Sequence, residues 1–131
     1  MLQTMNRARV YPFEIVDAKQ ASETLDVLID YVSSLLPVDE QQYPTVRSYD
    51  ESQRLEFCLH HSALHFSKVA GRLAAFVEDA DHGKFDAIQT LQGIVAASLV
   101  NSLKLADEIG ISGPEILARI REKFPEPAAG E

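Results

Sequence analysis

Residues Leu55–Asp81, LEFCLHHSALHFSKVAGRLAAFVEDAD, decide how the rest of the chain is read. Advancing about 100° per residue, Leu55, Leu59, Ser62, Phe66, Val69, Leu73, Phe76 and Val77 fall on one broad arc. That arc is the expected buried face of a long central helix. His61, His65, Lys68 and Arg72 fall on a second, narrower stripe, at steps of four, three and four. Phe57, Leu64, Gly71 and Ala75 border this stripe, so the cations run between apolar flanks instead of lying in a field of charge. A solvated face carries more charge than this. The pattern predicts a basic seam turned toward a cleft.

Punctuation on either side fixes the neighbouring elements. Asp50 or Ser48 is placed to cap the central helix, with Glu51 in its first turn, and Gly83 in EDADHGKFD is placed for a left-handed stop. A third helix is expected from about Phe85 to Ile109, apolar almost all round. Its small residues Gly93, Ala96, Ala97 and Ser98 predict close approach of another backbone. Gly110 ends it, and Ser112-Gly-Pro-Glu115 starts a last helix with a capping box and a first-turn proline. That last helix is expected to carry Ile116, Leu117, Ile120 and Phe124 on one face. Upstream, Leu25, Leu28, Ile29, Val32, Leu35 and Leu36 recur at helical spacing from about Asp17 or Ser22, and Pro37 closes that helix.

The connection between the first two helices, PVDEQQYPTVRSYD (37–50), is polar and contains two prolines. It is long for a helical hairpin, so it is expected to cross the body or cover a site, with Tyr43, Arg47 and Tyr49 as its contact residues. No strand pattern or repeat interrupts the helices. The expected architecture is an all-α four-helix bundle over residues 17–125. An extended arm at 1–16, where Pro12 excludes a helix interior, precedes it, and a frayed tail at 126–131 follows.

Composition narrows the function. A chain of 131 residues with 46% hydrophobic and 24% charged residues has the make-up of one globular domain. A net charge of −8 argues against nucleic acid or an anionic membrane as partner, since both select basic surfaces. The absence of a long apolar run or a signal-peptide core gives a cytoplasmic expectation. The single cysteine, Cys58, excludes an intramolecular disulfide, and its place on the apolar arc assigns it to packing.

The seam admits several chemistries. Arg72 suits bidentate phosphate recognition and Lys68 supplies a point charge, unless acids such as Asp79, Asp81 or Asp86 neutralise them. His61 and His65, four apart on a helix, have the spacing of a shared transition-metal ligand pair, with His60 and His82 nearby, but no clear third ligand follows. His65-Phe-Ser-Lys68 matches a fragment of histidine-phosphotransfer bundles, but Val69 stands where those place glycine, and His65 is flanked by Leu64 and Phe66. Asp79, Asp81 and Asp86 lack the spacing and final glutamate of a calcium loop. Ser62 and Ser67 adjoin histidines in sequence, but adjacent helix residues point apart, and no phosphate loop or nucleophile elbow occurs.

Two stretches resemble the MazG-like all-α nucleotide pyrophosphohydrolases. Lys68-Val-Ala-Gly-Arg-Leu-Ala-Ala75 is similar to the family's first motif helix, Glu-Glu-x-Gly-Glu-Leu-Ala-Glu. Ile94 to Ile111, ending Leu-Ala-Asp-Glu-Ile-Gly-Ile, is similar to the second, which ends Leu-Ala-Asp-x-Leu-Gly-Ile. The resemblance covers about residues 55–112 and implies a helical bundle, usually a homodimer, whose central helices line a nucleotide pocket. Family enzymes hold Mg²⁺ with an ExxE pair and an ExxD pair. The corresponding positions here are Val69 and Arg72, then Ile94 and Ala97. With those carboxylates missing, the resemblance implies a degenerate, non-catalytic member without a cofactor, Mg²⁺ entering only if hydrolysis survives. Its function is expected to be binding a phosphate-bearing ligand, such as a nucleotide, through His61, His65, Lys68 and Arg72. A protein–protein interaction module is the alternative, and an active pyrophosphohydrolase or a histidine-phosphotransfer domain the third reading.

Overall fold

A computed structural model of the chain describes residues 17–84 and 88–125. The expected arm at 1–16, the tail at 126–131 and the first residues of the third helix lie outside them. Among the described residues four α-helices form the bundle: α1 (Ala18–Leu35), α2 (Glu51–Asp81), α3 (Ile88–Ile109) and α4 (Gly113–Lys123). Their ends follow local chemistry. The Asp17 carboxylate accepts the Lys19 N–H at 3.0 Å and starts α1. Asp50 and Gln53 satisfy each other's backbone N–H groups, both at 2.9 Å, and start α2. Gly83 (φ 76°) and Gly110 (φ 73°) sit in the left-handed region past the ends of α2 and α3, where any side chain is strained. Ser112 and Glu115 form the capping box of α4.

Helices α2 and α3 are antiparallel. Ser62 meets Glu108 at one end, and Arg72 and Phe76 lie beside Gln89 and Ile94 at the other. Helix α1 packs mainly on α3 and α4. Its Ile29 and Val32 form the core with Leu103 and Ala106, and Leu28, Val100, Ile111 and Ile116 close around them. Ser33 Oγ donates to Asp107 at 2.8 Å, and the Gly113 N–H donates to Asp26 Oδ1 at 2.6 Å. A Cβ at Gly113 would strike the Ser22 carbonyl, so glycine there permits contact between the start of α4 and α1. The core thus sits at one end, over the second half of α3. Toward the other end, the buried apolar side chains are Val69 and Ile94.

The 37–50 connection contains a short 3-10 helix, Pro44–Ser48, that the proline-rich sequence hides. Val46 is completely buried (0% exposed) and pegs it to the body. Arg54 on α2 donates to Glu40 at 2.7 Å, and Arg47 lies 3.5 Å from the same carboxylate. The Arg54 hydrogen bond holds the Glu40 carboxyl below the usual carboxylate range.

Two packing expectations need correction. On α2, only Ser62 and Val69 of the apolar arc are buried; Phe66 and Phe76 are half-buried, and Leu55, Leu59, Leu73 and Val77 are exposed. Helix α3 covers one edge of the arc, while α1 settles on α3, leaving the other edge bare. On α3, a Cβ at Gly93 would meet nothing within 4 Å, so no backbone of the described residues approaches there. Ile88, Val95 and Leu99 on the same helix are exposed.

Candidate functional site

A cavity of about 400 Å³ opens where the end of α1, the start of the 37–50 connection, α2 and α3 meet. Leu35, Leu36, Val38 and Val100 give it apolar walls. Phe57 and His61, four apart on α2, stack with centroids 5.8 Å apart and planes 13° from parallel. Tyr43 stands edge-on to both rings, at 5.2 and 5.3 Å. Tyr43, on the connection expected to cross the body or cover a site, lines this cavity, its hydroxyl 3.2 Å from His61 Nε2. His65 Nε2 lies 3.0 Å from the same His61 nitrogen. Burial, and then the neighbouring His65, hold the His61 imidazole below its ordinary pKa, so it is neutral at pH 7.

The facing wall comes from α3. Ser62 Oγ donates to Glu108 Oε2 at 2.9 Å, and Lys104 Nζ lies 3.7 Å from Glu108 Oε1. These two charges are 18% and 8% exposed, so their attraction is screened less than that of a surface pair. Asn101 Nδ2 is buried and has no partner among the described residues. An unsatisfied buried donor costs about 1–3 kcal/mol, a cost that a ligand acceptor would remove. Cys58 lines the cavity half-buried instead of packing within the core, and burial raises its thiol pKa above the ordinary value. It is a thiol, not a thiolate, at neutral pH.

Of the four seam residues, His61 and His65 line this cavity, while Lys68 and Arg72 do not. Both cations are exposed, and neither makes an ion pair among the described residues, Asp79 and Asp81 included. Arg72 lines a second, more open cleft of about 290 Å³ with Phe76, Asp79, Gln89, Thr90 and Gly93. Because His65 and Arg72 share one stripe of α2, cavity and cleft lie along the same side of the α2–α3 hairpin. Gly93, which has no Cβ, lines the cleft, and cavity and cleft together are the groove of the hairpin. His60 and His82 stay apart from it; His82 is 4.0 Å from Glu78 in an exposed pair.

Sequence reasoning missed Asn101, Lys104 and Glu108. A signal was present: they recur at steps of three and four, a polar stripe along a helix otherwise apolar nearly all round. Val69 and Ile94, two of the four positions compared above with metal carboxylates, are buried apolar side chains. Among the described residues no helix is long and apolar enough to cross a membrane. Compared with known proteins, the chain matches no family model, no curated protein and no solved structure.

Proposed function

We propose that this chain is a MazG-like helical protein without metal-dependent pyrophosphohydrolase activity, acting as a binding or regulatory module for a phosphate-bearing ligand such as a nucleotide. The observation that carries the reading is the course of the basic stripe. It begins inside the cavity at His61 and His65 and runs out along the groove over two cations that make no ion pair among the described residues, Asp86 lying outside them. From His61 to Arg72 the helix rises about 16 Å, room for a ligand with a ring at one end and phosphates at the other. A planar base would meet Phe57, His61 and Tyr43, offer an acceptor to Asn101, and leave its phosphates over Lys68 and Arg72. Arg72 would take two oxygens through its planar fork. Apolar Val69 and Ile94 in place of carboxylates support binding over hydrolysis, because Mg²⁺ needs oxygen ligands there.

The test is a thermal-shift panel of nucleoside mono-, di- and triphosphates and inorganic phosphate, each with and without Mg²⁺. A ligand at 100 times its dissociation constant stabilises by about 2.7 kcal/mol. The expected result is stabilisation without Mg²⁺. Arg72→Glu is expected to weaken binding at least about tenfold while leaving the free protein's melting point unchanged, since Arg72 is exposed and forms no ion pair among the described residues. Stabilisation only with Mg²⁺, or binding indifferent to Arg72→Glu, overturns the reading.

A second reading rests on a separate observation. Placed at about 100° per residue, exposed Leu55, Leu59, Leu73 and Val77 of α2 and exposed Ile88, Val95 and Leu99 of α3 fall on the side of the hairpin away from the groove. Apolar stripes on adjacent helices are the surface an α-helical dimer buries, which supports a homodimer and, with an empty groove, an interaction module.

A further inference from the structure

The contact between Tyr43, His61 and His65 leaves a hydrogen-bonding conflict. His61 Nε2 is 3.2 Å from Tyr43 Oη and 3.0 Å from His65 Nε2. An imidazole Nε2 offers one in-plane N–H or one in-plane lone pair, never both. If protonated, it splits one hydrogen between two acceptors; if bare, it splits one lone pair between two donors. Either way one of the two contacts is a poor hydrogen bond.

A common centre removes the conflict, because each of the three atoms can then direct a lone pair at it. We infer that Tyr43, His61 and His65 form a site for one divalent transition metal preferring tetragonal geometry, of the copper(II) or nickel(II) kind. His61 and His65 are held on one helix face at four-residue spacing, and Tyr43 is brought over them by the connection that Val46 pegs down. With metal–nitrogen bonds of about 2.0–2.1 Å, two nitrogens 3.0 Å apart subtend about 91–97° at the metal. The phenol oxygen at 3.2 Å subtends about 99–106° with His61. A tetrahedral zinc site needs the two nitrogens about 3.3–3.4 Å apart, so the spacing favours square or octahedral coordination. Among the described residues no three His, Cys, Asp or Glu side chains converge, so the third protein donor is the phenol. The remaining positions face the cavity, open to water or to a ligand donor atom.

This inference does not depend on phosphate binding. The test is titration of the full chain, free of any affinity tag, with Cu²⁺ or Ni²⁺ alone in phosphate-free, weakly coordinating buffer. Uptake of one metal per chain is expected, with an upward shift in melting temperature and two-nitrogen hyperfine structure in the Cu²⁺ spectrum. His65→Gln, at an exposed position, is expected to weaken uptake at least tenfold, and His61→Gln likewise; His60→Gln and His82→Gln leave it unchanged. Tyr43→Phe removes the phenolate-to-copper absorption. Arg72→Glu leaves metal uptake intact even where it abolishes nucleotide binding, so the two readings fail separately. Absence of uptake, or uptake equal in wild type and the His61→Gln, His65→Gln double variant, overturns the inference.

Discussion

Val95→Asp combined with Leu99→Asp is expected to give a monomer whose melting temperature no longer depends on protein concentration. Both side chains lie outside the core, Val95 68% and Leu99 48% exposed, so within one chain the aspartates stay hydrated and cost little. In a homodimer built on the α2 and α3 stripes, symmetry places every substitution at the interface twice. Four carboxylates would then enter an apolar contact without partners, at several kcal/mol each unless they protonate or the contact opens. Opening is the cheaper outcome. Sedimentation and melting curves across a hundredfold concentration range check this: the parent should associate and melt higher when concentrated, and the variant should do neither. A parent that is monomeric at every concentration would remove the dimer from the account.

Gly113→Ala is expected to lower stability by about 2–3 kcal/mol, roughly ten degrees of melting temperature for a domain of this size. The new methyl is aimed at the Ser22 carbonyl, part of a helical backbone that cannot rotate away, with Asp26 Oδ1 only 3.0 Å from the same point. Relieving the overlap pushes α4 off α1 and stretches the 2.6 Å bond from Gly113 N–H to Asp26. Gly93→Ala is the control. Its methyl meets open space on a helix, so it should be neutral or stabilise by up to about 1 kcal/mol. Urea unfolding of the three proteins separates the outcomes, and equal midpoints for Gly113→Ala and the parent would contradict the packing argument.

These two cases show what can be read from one sequence. Helix ends were legible because their causes are local: the Asp50 cap, offered by the sequence beside Ser48, the Ser112 box, Pro37, and glycines at 83 and 110 act within a few residues. Which edge of the α2 arc would be covered was not legible. Leu55 and Leu73 carry the same chemistry whether they meet a neighbour helix or remain bare, and the choice was made by α1 packing on α3. Gly113 was read as the first residue of a capped helix, which it is; its closeness to Ser22 depends on a contact some ninety residues away in sequence. The site divides in the same way. The spacing of His61 and His65 placed them on one face, and the length of the 37–50 connection pointed to a cover with Tyr43 in it. Asn101, Lys104 and Glu108 stand out in the sequence as a polar stripe on α3, but their meeting with α2 at the site depends on the antiparallel register of the two helices, which their spacing does not encode.

The one-ended core has a consequence for how order is distributed along the hairpin. Helix α1, with α4 packed on it, braces the second half of α3, whereas, among the described residues, 66–81 and 88–95 are held mainly to each other, through Val69 and Ile94. Local opening should therefore be graded, with amide protons near Ala80 and Gln89 exchanging with solvent well before those near Ser62 and Leu103. The loosely braced span carries Lys68 and Arg72 on one side and Leu73, Val77 and Val95 on the other. Whatever settles on either side ties down the same stretch of backbone. Occupancy of the groove and association of two chains would then each lower the entropic cost of the other, a positive coupling that needs no change of shape.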